Sequence, residues 1–384
     1  MLDFYRNKSA TVLEGDAIQK AVERVIDERT YYGSAGHPNV KKLEEALAER
    51  SDGRRALCVN SGTDALILAL KLLRVGPGDE VIVPAFSYVS TASCVSWIGA
   101  KPVFADICLD DYAVDPATIE ANITPKTKAI IVAHLFGQPA SGIEEIARIA
   151  KRRSLYLIED AAQSFGAKIE INGEWKPVGA IGDIGCLSFS STKPFAAPGN
   201  GGALILKDPA LWEEGDRMRF YGARVHHFDY PTVGVNCKMH DLQAAALLAK
   251  LPFFDYWLGH RRRIAALYTK ELAGIGDLVL PADIPGTERT WYRYVVRTSM
   301  CPALFEKIEK TAMGSSRLFQ LARNYPVPLP YFSIFRNSRH IPGDFPVADR
   351  VSQEAVPLPV TNDVTTKDAE RFACAVQEFF NTRI

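Results

Sequence analysis

Apolar runs alternate with amphipathic segments through the first two thirds of the chain. Buried strands are predicted within residues 56–60, 77–86, 101–107, 127–137, 155–162, 182–189 and 201–208. Between them, apolar residues recur at helical spacing, as in residues 64–73 and 141–153. Continuous apolar strands that alternate with helices are typical of a mostly parallel sheet with helices on both faces. The pattern therefore predicts an α/β fold.

The two ends of the chain carry different patterns. An amphipathic helix is predicted at residues 14–29, ahead of the first strand. Near residue 250 the alternation stops, and residues 251–275 predict one long linking helix. A last helix is predicted near 366–380. We therefore expect a large α/β domain over residues 1–250 and a smaller α+β domain over residues 251–384, begun by the linking helix.

Charge and cysteine content limit the classes of partner and compartment. The 384 residues carry 45 Lys and Arg against 45 Asp and Glu, so we expect no nucleic-acid or membrane partner. The seven cysteines are scattered without a C-x-x-C pair, which fits a reducing compartment. His226, His227 and Asp229 are poorly spaced for a metal site, so no metal is expected. The beginning of the chain lacks an apolar signal core, and a cytoplasmic enzyme is expected.

The segment Asn60–Leu66, with the sequence NSGTDAL, closes a predicted strand and opens a predicted helix. Its Ser-Gly-Thr turn would present backbone N–H groups and hydroxyls at the positive end of the helix dipole, which suits a phosphate. An ordinary helix N-cap by Ser61 or Thr63 explains the same pattern. The turn matches neither a Walker loop nor a G-x-G-x-x-G fingerprint, which disfavours nucleoside triphosphate and NAD sites.

Two acids end the apolar strand in IEDAAQSFG, residues 158–166. Ligands of open α/β sheets bind at the carboxyl ends of the strands, so Asp160 is predicted to face the crevice. An acid at that position can pair with a protonated ring nitrogen. The alternative is an acid that caps the next helix.

A single lysine, Lys193, lies in the small and polar segment SFSSTKPF, residues 188–195. A partly desolvated lysine can form a Schiff base with an aldehyde cofactor. A surface loop with an ordinary lysine is the alternative. Taken together, a phosphate-binding turn, Asp160 at a strand end and Lys193 supply what pyridoxal phosphate requires.

Seven further segments follow one another in a recognisable order: NSGTDAL, GPGDEVIVPAFSYVSTA, ITPKTKAIIVAHLFGQPA, LIEDAAQSFGA, GDIGCLSFSSTKP, GNGGA and VGVNCKMHDLQAAALLAKL. Over most of its length the chain resembles the DegT-type (DegT/DnrJ/StrS) sugar aminotransferases of fold type I, and the likeness is clearest in these segments. The resemblance implies a pyridoxal 5′-phosphate cofactor. It also implies a large domain with a mostly parallel sheet and a smaller C-terminal domain.

The resemblance assigns roles to residues at the matching positions. Lys193 corresponds to the Schiff-base lysine and Asp160 to the partner of the pyridine nitrogen. The remaining cofactor-binding positions are Gly62, Thr63 and Ser188 for the phosphate, Tyr88 for ring stacking, Gln163 for the phenolic oxygen and Asn236 for the phosphate in the neighbouring subunit. The last position implies a homodimer with shared active sites. Core packing is the alternative for Tyr88, and a turn amide is the alternative for Asn236.

Three positions depart from the family's pattern. Lys238 stands where an arginine is common, and Tyr292 stands where a histidine is frequent. Asn324 replaces the histidine of the family's H-Y-P segment, which keeps Tyr325. Because only arginine offers a planar fork to a carboxylate, these departures bear on the sugar and donor contacts. Lys238 and Tyr325 are the candidate substrate-binding residues.

The function that the resemblance implies is transfer of an amino group from L-glutamate to a keto group of a UDP- or dTDP-linked deoxy or N-acetylated sugar. It favours carbon 3 of UDP-linked N-acetylated sugars, with carbon 4 next. A sugar dehydratase of the same fold is one alternative, but those relatives carry histidine in place of Lys193. A regulatory or binding relative is a second alternative. A NAD-dependent oxidoreductase is a third, disfavoured by the missing glycine fingerprint.

Overall fold

The structure is a computed structural model. It describes residues 11–31, 37–223, 229–313, 321–338 and 340–382. Its strands are β1 Arg55–Val59, β2 Glu80–Pro84, β3 Lys101–Ala105, β4 Thr127–Ala133, β5 Tyr156–Asp160, β6 Lys168–Ile171, β7 Glu174–Pro177, β8 Ile184–Ser188, β9 Gly202–Leu206, β10 Thr287–Glu288, β11 Tyr294–Arg297 and β12 Ala355–Leu358. Its helices are α1 Thr11–Asp27, α2 Pro38–Glu49, α3 Gly62–Leu72, α4 Ser90–Trp97, α5 Pro116–Ala121, α6 Ile143–Arg153, α7 Ala210–Arg219, α8 Asp241–Lys250, α9 Phe254–Leu272, α10 Cys301–Met313, α11 Pro346–Glu354 and α12 Thr366–Asn381.

A seven-stranded sheet forms the centre of the described chain, in the order β1-β9-β8-β5-β4-β2-β3. The pairs β2–β3, β2–β4, β4–β5 and β5–β8 are parallel, whereas β9 runs antiparallel to both of its neighbours. The carboxyl ends of β1, β2, β4, β5 and β8 therefore meet at one edge of the sheet. This arrangement confirms the predicted α/β class with a mostly parallel sheet.

Both faces of the sheet are buried, which explains why its strands are apolar throughout. In β4, Ile131 packs into one apolar cluster, while its neighbours Ile130 and Val132 pack into another on the opposite face. Helix α6 covers the second face with Ile146 and Ile149. Its first turn is acidic and its last turn is basic, which complements the helix dipole.

The C-terminal part has a core of its own, built from apolar side chains between Ile264 and Phe380. It contains the antiparallel pair β11–β12 and begins with α9, which is shorter than the predicted linking helix. A 3-10 turn over Leu251–Phe253 precedes α9, because Pro252 fixes the chain there. Residues of the later segment, such as Phe335, pack into the core of the large sheet. The division at residue 250 stays a prediction.

Candidate active site

A cavity of about 620 Å³ opens at the edge where the parallel strands end. Its volume suits a cofactor with a bound substrate, and its position is the one expected for ligands of such sheets. Eight of the ten predicted site residues line it: Gly62, Thr63, Tyr88, Asp160, Gln163, Ser188, Lys193 and Tyr325. Residues from four strand ends and from the C-terminal part thus meet around one space.

The start of α3 forms one wall of this cavity. Ser61 caps the helix by accepting a hydrogen bond from the Asp64 backbone N–H at 3.0 Å, so the ordinary N-cap interpretation is also correct. The first backbone N–H groups of a helix have no partner within it and suit an anion. A Cβ on Gly62 would lie 2.7 Å from the Cβ of Ser188, and a Cβ on Gly202 would lie 2.5 Å from the carbonyl of Ser61. Both glycines are therefore required for the helix start to lie this close to β8 and β9.

Asp160 is the last residue of β5 and is only 7% exposed. Its Oδ2 accepts a hydrogen bond from Thr91 Oγ1 at 2.7 Å, and its Oδ1 accepts one from the Ala162 backbone N–H at 3.2 Å. Thr91 is itself hydrogen bonded to Ser87 at 2.8 Å. These contacts fix the orientation of the carboxylate. An ionised carboxylate offers about four acceptor positions, so Asp160 can accept a further hydrogen bond from an N–H group of a ligand.

Two thiols lie close to Asp160 without taking a charge at neutral pH. Burial raises the pKa of the Cys186 thiol well above its ordinary value, and the negative charge of Asp160 raises it further. The same two causes raise the pKa of Cys94. Both cysteines are buried. Asp160 is thus placed among neutral groups.

Gln163 is held by two contacts that orient its amide. Its Oε1 accepts a hydrogen bond from the Phe136 backbone N–H at 2.8 Å, and its Nε2 donates one to the Tyr325 hydroxyl at 3.0 Å. Burial raises the pKa of Tyr325, so its phenol stays neutral. Nε2 has a second hydrogen, which is available to a ligand oxygen. Tyr88 is 54% exposed, which rules out core packing as its role.

The loop that carries Lys193 is anchored by the residues that follow it. Phe195 is buried and packs against Phe189 and Phe254, with ring centroids 5.6 and 5.1 Å away. The buried ammonium of Lys250 donates to the carbonyl of Ala196 at 2.6 Å. These contacts fix the residues that follow Lys193 against the core, while Lys193 itself is half-buried and lines the cavity.

Tyr292 and Arg293, which were not among the predicted site residues, also line the cavity. The Lys193 Nζ lies 4.9 Å from the centroid of the Tyr292 ring, and the guanidinium carbon of Arg293 lies 5.1 Å from the same centroid. Arg293 lines the cavity and is only 7% exposed. A charged residue next to the apolar run of β11 was the signal that could have identified it.

His134 also lines the cavity, but its ring is engaged with the protein. Its Nε2 lies 3.0 Å from Glu159 Oε2, and its Nδ1 accepts a hydrogen bond from the Ala140 backbone N–H. Burial alone would raise the pKa of Glu159, but His134 and the backbone N–H groups of Gly182 and Gly179 outweigh burial and lower it. The pair supports the end of β5 and leaves proton transfer in the cavity to other groups.

Asn236 and Lys238 are not brought to this cavity within one chain. Lys238 Nζ donates a hydrogen bond to Asn236 Oδ1 at 2.5 Å. The backbone of Lys238 pairs with that of Val59 at the end of β1 in an isolated antiparallel β-bridge. Lys238 lines a neighbouring cavity of about 690 Å³. Residues 226 and 227, considered above for a metal, lie outside the described residues.

A model of the DegT/DnrJ/EryC1/StrS aminotransferase family matches residues 13–377. The chain belongs to this family. It is 37% identical to a pleiotropic regulatory protein of Geobacillus stearothermophilus, with 89% of each chain covered. It is 34% identical to the dTDP-3-amino-3,4,6-trideoxy-alpha-D-glucose transaminase of Streptomyces venezuelae, covering 94% of this chain and 91% of the relative.

Two further comparisons agree with these. The chain is 34% identical to the UDP-N-acetyl-3-dehydro-alpha-D-glucosamine 3-aminotransferase of Acidithiobacillus ferrooxidans, covering 94% of this chain and 93% of the relative. The crystal structure of S. venezuelae DesV in complex with a ketimine intermediate superposes with a TM-score of 0.86 at 33% identity, covering 94% of each chain. The predicted family, fold class, cofactor and enzyme class are thereby confirmed. The chain is an aminotransferase that uses pyridoxal 5′-phosphate.

The residues around the cavity fit this cofactor. The start of α3 suits its phosphate, the oriented carboxylate of Asp160 suits a protonated ring nitrogen, and Lys193 supplies the amine for its aldehyde. Because Gly62 has no Cβ, the start of α3 can lie against Ser188 at the end of β8. Within the described ranges, no three His, Cys, Asp or Glu side chains are grouped to hold a metal ion. No helix in the same ranges is long and apolar enough to cross a membrane.

Proposed function

We propose that this aminotransferase moves the amino group of L-glutamate to a keto group of a nucleotide-linked sugar. The observation that carries the proposal is the convergence of Lys193, Asp160 and the start of α3 on one cavity. Two relatives are transaminases whose names specify dTDP- and UDP-linked sugars, which supports a nucleotide-linked sugar as the acceptor.

Lys193, Asp160 and Gln163 in the cavity wall each have a proposed task in the reaction. Pyridoxal phosphate, when bound, supplies an electron sink for the carbanion that forms on the donor. The Nζ of Lys193 takes the proton from the donor's α-carbon and later returns it as a general acid. Asp160, held by Thr91, keeps the ring nitrogen protonated. Gln163 directs its remaining N–H to the phenolic oxygen.

An amino acid as donor is supported by Arg293. This residue is buried and lines the cavity, and a guanidinium can grip a carboxylate with two parallel hydrogen bonds. Both Lys193 Nζ and the Arg293 guanidinium lie about 5 Å from the centroid of one ring. An amino acid bound in the same cavity could therefore pair its carboxylate with the positive charge of Arg293.

The acceptor is proposed to be a 3-keto sugar linked to UDP or dTDP. Two relatives with 34% identity carry names that specify amination at carbon 3. Carbon 4 is the second candidate position. The partly exposed Tyr325 is the aromatic surface that a sugar ring would meet, and its ring centroid lies 6.4 Å from that of Tyr88, the residue proposed to stack on the cofactor.

The active unit is proposed to be a homodimer with shared active sites, located in the cytoplasm. Asn236 is exposed and pairs with Phe220, while Lys238, two residues later, pairs with Val59 at the end of the strand that leads into the phosphate-binding turn. Apolar side chains near it are also exposed, including Tyr221 and Val233. A second copy that covers this surface would bring Asn236 and Lys238 to its own cavity.

A mixing experiment tests the shared site. K193A and N236A each disable a site, but a mixed dimer would contain one cavity with Lys193 from one chain and Asn236 from the other. Recovery of activity on mixing the two inactive proteins is expected. Failure to recover, with subunit exchange verified, would overturn the proposal for Asn236.

A regulatory function is the second candidate, because one relative with 37% identity is named a regulatory protein. Product formation separates the two. The purified protein is incubated with L-glutamate and a UDP- or dTDP-linked 3-keto sugar, and the amino sugar is detected by mass spectrometry. Product formation that requires Lys193 supports the proposed reaction.

A further inference from the structure

Tyr292 lies on the wall of the active-site cavity and faces the reactive amine. The Lys193 Nζ is 4.9 Å from the centre of its ring. At that distance an ammonium group is attracted to the negative face of an aromatic ring.

The Tyr292 hydroxyl is surrounded by donors and positive charge. It interacts through hydrogen bonds with the side chains of Thr192 and Arg293. Burial alone would raise the pKa of Tyr292, but the charges of Lys193 and Arg293, together with these hydrogen bonds, lower it overall. The phenol is therefore more acidic than an ordinary tyrosine.

The backbone fixes the position of this ring. The segment before β11 is tied to the turn after β4, because Arg293 N–H donates to the carbonyl of Phe136 and Thr290 N–H donates to the carbonyl of Gly137. A Cβ on Gly137 would lie 2.7 Å from the backbone nitrogen of Tyr292. The close approach depends on this glycine, so the backbone that carries the Tyr292 ring is fixed at the cavity wall.

We propose that Tyr292 is a positioning residue that holds the protonated amine of Lys193 in the cavity between the two proton transfers. The proposal rests on the proposed aminotransfer reaction. Once Lys193 has taken the proton from the donor's α-carbon, its amine is positively charged and needs a partner near the reacting carbon until it returns the proton. The ring face of Tyr292, 4.9 Å from Nζ, supplies that partner.

Other charged groups face the same space from neighbouring elements. Arg293 follows Tyr292 along the chain and contacts its ring. Arg261 on α9 and Tyr325 both have electrostatic interactions with Tyr292. Asp160 and His134 line other walls of the cavity. Arginine is charged throughout the working range, so Arg261 and Arg293 add no titration of their own near neutral pH.

The experiment titrates the enzyme loaded with pyridoxal phosphate and follows the visible band that arises when the cofactor is joined to Lys193. Y292F keeps the ring and removes the hydroxyl, whereas Y292L removes both. We expect the pKa of the band to fall in Y292F and to fall further in Y292L, by about 0.5–1.5 pH units. We also expect kcat to fall more than KM for the donor rises.

A matched control is available on the outer surface. Tyr256 on α9 is 56% exposed and has the guanidinium of Arg263 over its ring at 5.9 Å. Y256L removes a tyrosine with a comparable cation contact, and an unchanged pKa of the band is expected. A drop in Y292F and Y292L but not in Y256L supports the proposal.

The outcomes separate this inference from the proposed function. An unchanged pKa of the band in Y292F, with a normal band in the wild type, would overturn the role of Tyr292 and leave the reaction standing. A wild-type protein that shows no visible band with pyridoxal phosphate would overturn both.

Discussion

Thr91 on α4 donates a hydrogen bond to Asp160 at the end of β5 across 2.7 Å. The two residues come from elements separated by β3 and β4 in sequence, and the contact exists only because α4 lies at the carboxyl edge of the sheet. It gives Asp160 a fixed orientation toward the cavity. If Asp160 pairs with the cofactor's ring nitrogen as proposed, Thr91 would act on that nitrogen through Asp160.

Replacing Thr91 by valine keeps the shape of the side chain and removes the donor. A hydrogen bond to a charged group contributes about 1.5–3 kcal/mol, so we expect T91V to lower kcat by about tenfold or more. Steady-state kinetics measure the change. T311V removes a similar hydroxyl from the outer helix α10, where it donates to a helix carbonyl, and full activity is expected there.

Replacing Asp160 itself has a larger expected effect. D160N keeps the size of the side chain but cannot hold a proton on the ring nitrogen by charge. We expect kcat to fall by about 10²-fold or more, the loss typical of a preorganised electrostatic partner, while the folded structure persists by circular dichroism. A near-normal kcat in D160N would remove the proposed role of Asp160.

The glycine at the start of α3 provides a steric test. G62A would place a Cβ 2.7 Å from the Cβ of Ser188, so the helix start must shift away from β8. We expect a loss of about 1–3 kcal/mol in the free energy of unfolding and weaker binding of pyridoxal phosphate. G76A is the matched control, because no atom lies within 4 Å of the added Cβ there. Equal cofactor affinity in G62A and G76A would contradict the assignment of α3 to the phosphate.

Arg293 is expected to bind the carboxylate of the amino donor. R293A should raise KM for L-glutamate by about tenfold or more, since a charged hydrogen bond of about 1.5–3 kcal/mol is lost. R293K keeps the charge without the planar fork and should recover part of the affinity. R263A, on the outer face of α9, is the control. If KM for glutamate is the same in R293A and R263A, the donor carboxylate binds elsewhere.

The strands of the central sheet could be predicted from the apolar pattern, because strands buried on both faces are apolar throughout. The hairpin β6–β7 was not predicted, since its strands are short and polar. Its turn, Asn172-Gly173, has positive φ at both residues and matches the Asn-Gly pair that favours tight hairpins. That pair was the available signal.

The residues of the site also differ in how far the sequence alone predicts them. Lys193, Asp160 and Gly62 could be predicted because each follows a strand at the edge where ligands bind. Thr91 could not, since its role depends on a contact between elements distant in sequence, whereas Arg293 left only the signal of a charged residue beside an apolar strand. Asn236 lies outside the cavity of its own chain, so a single chain cannot display the role that the resemblance implies.

The most direct test of the account is an absorbance spectrum before and after addition of L-glutamate. The wild-type protein loaded with pyridoxal phosphate should show a visible-violet band that moves to the near ultraviolet as the cofactor accepts the amino group, and K193A should lack the initial band. A nucleotide-linked keto sugar should then restore the band in the wild type. A wild-type protein that stays colourless with pyridoxal phosphate, or a K193A protein that turns over normally, would contradict the assignment of Lys193 and the proposed reaction.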